Sequence, residues 1–124
     1  MTLLGEAIRS ILLNNSTVSS LVGTRVYPLE LPLDCEFPAI TYSFPSDPYQ
    51  RVARGARCQI DCRSQDYTEC NNLKNVIETA LNGYSDTVGD MNIEGIFPIS
   101  PYDMSPEDTG LFHIPYDFRV IYRT

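Results

Sequence analysis

The sequence is poor in the groups that do chemistry. His113 is the single histidine of the chain. Nucleophilic hydrolysis needs a nucleophile, a base and an orienting carboxylate that converge in space, and only one imidazole is on offer. It would have to pair with Cys35, Cys58, Cys62 or Cys70, but three of these fall on faces that read as core, whereas His113 falls on a polar face. Metal ligation is as thinly supplied, with no CxxC pair, no second histidine and no HExxH. On an extended strand the Cys58 and Cys62 side chains would stand roughly 13 Å apart, too far to share one ion. Glycine-rich phosphate loops of the GxGxxG or GxxxxGK(S/T) type are missing, so nucleotide binding has no support. No metal, cofactor or catalytic residue is expected.

Positive charge is scarce too. Nine Lys and Arg face 16 Asp and Glu, a formal net charge of -7. Binding duplex DNA through its phosphates needs a dense stripe of cations, so specific nucleic-acid binding is not expected. No apolar run approaches the roughly 20 residues of a membrane helix. The first residues, Met1-Thr2-Leu3-Leu4-Gly5-Glu6, lack a basic stretch and a small-residue cleavage site. The four cysteines are therefore expected in a reducing cytoplasm, without disulfides.

What is present suits one small folded domain over residues 1–124, of 14.0 kDa with 43% hydrophobic residues. Leu4, Ala7, Ile8, Ile11 and Leu12 recur at helical spacing. Asn14-Asn15 ends that helix, Ser16 or Thr17 can cap a short second turn, and Gly23 supplies a left-handed stop. A proline-rich connector over 29–38 leads to a half-buried strand with Ile40, Tyr42 and Phe44 on one side. Residues 45–55 read as a loop or the tip of a long hairpin. Beyond them, Ala56, Cys58, Ile60 and Cys62 alternate with Arg57, Gln59, Asp61 and Arg63, a strand with one core face. A helix then runs from a Ser64 cap to Gly83, with Cys70, Leu73, Val76, Ile77, Ala80 and Leu81 inward. Residues 84–90 read as turns and 91–99 as a weaker strand, bulged or at an edge because of Gly95 and Pro98. An acidic loop precedes the clearest strand, where Phe112, Ile114, Tyr116, Phe118, Val120 and Tyr122 share a face. The fold class that follows is α+β, a single mainly antiparallel sheet with two helices packed on one face.

Two groups of residues are candidates for contact with partners. Arg51, Arg54 and Arg57 lie close together in a chain short of cations, either as a solvated loop or as a patch for an acidic surface. Tyr49, Tyr84 and Tyr102 place aromatic rings in loops, where tyrosine suits an interface.

Four ordered segments together resemble the tail terminator, or tail completion, proteins of long-tailed bacteriophages and gene transfer agents. They are Leu21-Val22-Gly23-Thr24-Arg25-Val26-Tyr27-Pro28 after an N-terminal helix, then Leu31-Pro32 with Phe37-Pro38-Ala39-Ile40-Thr41-Tyr42. Cys58-Gln59-Ile60-Asp61-Cys62 follows, running into Asp66-Tyr67-Thr68-Glu69 and the helix before Leu81-Asn82-Gly83. Tyr116-Asp117-Phe118-Arg119-Val120-Ile121-Tyr122-Arg123 closes the series. The resemblance implies a virion protein assembled in the host cytoplasm. It implies a homo-oligomer, a hexameric ring on the head-proximal end of the tail tube. Its partners would be the tube protein and the head-tail connector or head-closure protein, with DNA passing through the lumen. Two alternatives stand beside it: another neck or head-closure ring subunit, and a small cytosolic ligand-binding domain or enzyme.

Overall fold

The computed structural model describes residues 3–44, 54–101 and 111–123. Among the described residues three helices, α1 (Leu4–Asn14), α2 (Ser16–Val22) and α3 (Tyr67–Leu81), accompany six strands. The strands are β1 (Val26–Pro28), β2 (Ala39–Ser43), β3 (Arg54–Ser64), β4 (Asp86–Val88), β5 (Met91–Pro101) and β6 (Phe112–Arg123). They form one sheet in the order β1-β2-β3-β6-β5-β4, curled as a half-barrel. The α+β class and the single sheet agree with the sequence reading. The sheet is mixed, however, because β1 pairs with β2 in parallel while the other pairings are antiparallel.

The count of elements among the described residues also differs from expectation, with three helices in place of two. The second short turn is a helix in its own right. Its cap is Asn15, whose Oδ1 accepts the N–H groups of Thr17 and Val18, both at 3.1 Å, and not Ser16 or Thr17. Gly23 ends it at φ 62. The expected Ser64 cap of α3 is displaced as well. Ser64 is the last residue of β3; its hydroxyl accepts from the Asp66 N–H (3.1 Å) and donates to Glu69 Oε1 (2.6 Å), while Asp66 caps the helix through Thr68 N–H. The strands β1 and β4 hold three residues each, too few to show a period.

The core lies between the helices and one face of the sheet. From α1 it takes Leu4, Ala7, Ile8, Ile11 and Leu12, and from α3 Cys70, Leu73, Ile77 and Leu81. Opposite them stand Ala56, Cys58, Ile60 and Cys62 of β3 and Ile114, Tyr116, Phe118, Val120 and Tyr122 of β6. The central pair β3 and β6 is in register from Arg54 opposite Tyr122 to Ser64 opposite Phe112, which fixes the inward set of both strands at once. Polar ties secure the layers: Tyr116 Oη donates to Glu78 Oε1 of α3 at 2.8 Å, and Arg9 Nε of α1 donates to the Val26 carbonyl at 3.0 Å.

Candidate assembly surfaces

Alternation along β3 and β6 sends every second side chain to the face away from the helices. That open face is polar, but it is not uniformly wet. Thr41, Asp61 and Asp117 are buried there. The register lines up Thr41, Asp61 and Pro115 in one row, Ser43, Gln59 and Asp117 in the next, and Arg57, Arg119 and Phe97 in a third.

Asp61 is the hub of the first row. Its Oδ1 accepts from Gln59 Nε2 at 2.9 Å and its Oδ2 from Thr41 Oγ1 at 3.3 Å. Arg63 Nη2 stands 3.6 Å from Oδ2, and Arg63 Nε donates to Thr41 Oγ1 at 3.2 Å. His113 Nε2 lies 3.1 Å from Oδ1, an ion-pair distance without hydrogen-bond alignment. Burial by itself would raise the Asp61 carboxyl. The contacts from His113 and Gln59 and the charge of Arg63 outweigh it and hold the group below the ordinary carboxylate range. In the second row Asp117 Oδ2 accepts from Arg57 Nη2 at 2.6 Å. Asp117 Oδ1 is buried with no hydrogen-bond partner among the described residues.

His113 thus faces away from the thiols. Cys58 and Cys62 sit on the core face of the same sheet, and burial pushes both thiols well above their ordinary value, with Asp61 and further neighbours adding to it. None of the four cysteines is in a disulfide. A thiol that stays protonated behind the sheet is a packing group, and Cys58 and Cys62 are separated from the His113 imidazole by the sheet.

Toward β5 the open face turns apolar. Phe97 and Ile99 are exposed by 49% and 56%, beside the exposed guanidinium of Arg119. The Phe97 ring lies over Gly95, so close that a Cβ there would meet its Cε2 at 2.7 Å. Register shifts between Ile93 and Gly95 and between Pro98 and Ser100 bend β5 and turn Ile99 outward. β4 covers only the Met91, Asn92 and Ile93 part of β5. Farther along, the Ile96 carbonyl accepts from Gly83 N–H at 2.8 Å, so Pro98, two residues on, directs its hydrogen-free nitrogen toward the same edge.

A second surface lies at the other end of the sheet. The chain returns from β1 to the parallel β2 through residues 29–38, in which Leu29 is 70% and Leu33 93% exposed. Glu30, Asp34 and Glu36 are exposed beside them. Leu29 and Asp34 hold the left-handed backbone region, at φ 64 and φ 59. Leu29 is fixed there by its N–H to the Tyr42 carbonyl (2.9 Å) and the Glu30 N–H to the Pro28 carbonyl (2.7 Å).

Of the six residues read from sequence as interface candidates, Tyr49, Arg51 and Tyr102 lie outside the described residues. Arg54 opens β3 opposite Tyr122, so the strand starts inside what reads from sequence as a loop. Arg57 is half-exposed on the open face and bound to Asp117. Tyr84 is on the helix side, in a cleft of about 500 Å³ with Ser10, Asn14 and Ala80, where burial, helped by the nearby Asp86, raises its phenol. Arg57 and Tyr84 therefore belong to different surfaces. Sequence reasoning missed Leu29, Leu33, Phe97 and Ile99 as exposed apolar groups. Alternation around Gly95 and Pro98 was the available signal, since bulges displace the inward set.

The family model for the tail completion protein gp17 matches residues 6–123, nearly the whole chain and every element described above. The chain belongs to that family. It is accordingly a structural protein of the phage virion, of the tail and neck region, and its family is not one of enzymes. Among solved structures, a chain from the virion of a native gene transfer agent particle matches with a TM-score of 0.76 at 17% identity. The alignment covers 98% of this chain and 95% of that one, and it shows that the fold is shared. A search of curated proteins found no match. Among the described residues no helix is long and apolar enough to cross a membrane.

Proposed function

We propose that this tail completion protein assembles into a hexameric ring that caps the head-proximal end of the tail tube, ends its polymerisation and joins it to the head connector or head-closure protein. The family match over residues 6–123 carries the proposal, because it takes in the whole fold and both surfaces described above. A ring of this kind needs a lateral interface that closes and an axial one that imitates the next tube ring. The start of β3 with Arg54 and Arg57, the cleft that holds Tyr84, and Tyr49, Arg51 and Tyr102 outside the described residues are candidates for these contacts. The acidic balance suits a lumen through which DNA slides without being held.

The test is tube length. Tail-tube protein polymerised in vitro with increasing amounts of the chain should give progressively shorter tubes that no longer elongate when fresh tube protein is added. Tubes of unchanged length that go on growing would overturn the proposal. Attachment at the head connector with no effect on tube growth would favour a head-closure role instead.

A further inference from the structure

The two surfaces that lack a described partner are complementary in chemistry and lie at opposite ends of the sheet. One is the returning segment over 29–36, apolar through Leu29 and Leu33 and acidic through Glu30 and Asp34. Neither carboxylate has a partner among the described residues. Glu36, the third acid, reaches Arg25 only at 4.0 Å. The other surface is the open face near β5, apolar through Phe97 and Ile99 and cationic through Arg119, which also lacks a partner among the described residues. The strands β2, β3 and β6 separate them, so one copy does not bring its two surfaces together.

We propose that residues 29–36 of one copy dock onto the face formed by Phe97, Ile99 and Arg119 of the next copy. The contact sets leucines against an aromatic ring and an isoleucine, and places Glu30 and Asp34 beside Arg119. Because the mating patches are different regions of the chain, the contact is head-to-tail and propagates by rotation, as a closed ring requires. The left-handed Leu29 is consistent with this use: an unfavourable conformation for a branched side chain is locked by two backbone hydrogen bonds and holds the residue out from the sheet. Pro98 fits as well, since it discourages pairing along the β5 edge and leaves side-chain docking on the face. The proposal rests on the ring reading above and names its lateral contact.

Cross-linking on assembled tails tests it. Cys35 lies in the docking segment, whereas Cys58, Cys62 and Cys70 are buried and shielded from reagent. The variant Ile99→Cys is assembled on tail tubes, rings are checked by electron microscopy, and the sample is treated with a short bis-maleimide. A ladder of covalent species beyond the dimer, lost when Cys35→Ser is added, is the expected result. Rings without the ladder, or with dimers alone from pairing of two introduced thiols, would overturn the proposed contact and leave the ring reading intact. Absence of rings from the unsubstituted chain would overturn both, whereas rings from that chain that Ile99→Cys alone abolishes would place Ile99 in the contact. Charge reversal gives a second reading: Arg119→Glu should lower cross-linking at least about tenfold, and adding Glu30→Arg with Asp34→Arg should restore it. Failure of restoration in a folded triple variant would remove the charge pairing from the proposal.

Discussion

The two faces of the central sheet are held by different physics. Toward the helices, Cys58, Ile60, Phe118 and Val120 pack as apolar groups beside Tyr116, whose hydroxyl alone of this set is tied to a helix through Glu78, and their stability comes mainly from area removed from water. On the other side the same two strands carry Asp61, Arg63, His113, Arg57 and Asp117, buried or half-buried and held by charge and hydrogen bonds. The first face specifies the fold. The second is kept in place by its own pairs and leaves a margin at Phe97, Ile99 and Arg119 that its own chain does not cover. A protein of the phage tail and neck contacts other virion proteins, and such a margin is surface left for them.

Four substitutions sharpen the contrast, and the largest effect is expected on the helix side. Phe118→Ala, at a fully buried ring, should cost about 3–5 kcal/mol in urea unfolding, through lost transfer energy and the cavity left behind. On the open face, Arg57→Ala strips a buried carboxylate of its closest donor and should cost about 1–3 kcal/mol. A loss as large as that of Phe118→Ala would show that the two faces contribute alike.

The third effect depends on pH. The Asp61 carboxyl is held below its ordinary value of 3.8, so its contribution is complete above that value and is lost as pH falls through the folded one. Unfolding measured from about pH 5 downward should therefore show the wild type losing its advantage over Asp61→Asn. An advantage that stays constant down that range would contradict the network drawn around Asp61. The smallest effect belongs to Arg119→Ala, an exposed cation with no partner among the described residues: stability should stay within about 0.5 kcal/mol of wild type.

Much of the helix-side face is legible in the sequence, because periods of two and of about three and a half residues state which side chains meet the core. Phe112, Ile114, Tyr116, Phe118, Val120 and Tyr122 announce β6, and Cys70, Leu73, Ile77 and Leu81 announce α3. Periodicity is silent where elements are short, which hid β1 and β4, and where a cap can be supplied by any of several polar neighbours, as with Asn15 before Ser16 and Thr17. It misleads on the open face. Alternation assigns Asp117 and Thr41 to solvent, but the register with β3 places them under arginine side chains, a relation between strands that neither segment carries alone. The exposed leucines of residues 29–36 were illegible for the opposite reason, since an apolar residue in a connector reads as inward. The order of motifs along the whole chain, more than any one of them, pointed to the family.

Electron microscopy of tail tubes incubated with the purified chain tests the central claim most directly. The account predicts a closed annular density of hexameric symmetry at one end of each tube, with the other end bare. Tubes with both ends unmodified at saturating protein, or with the chain scattered along their sides, would contradict it.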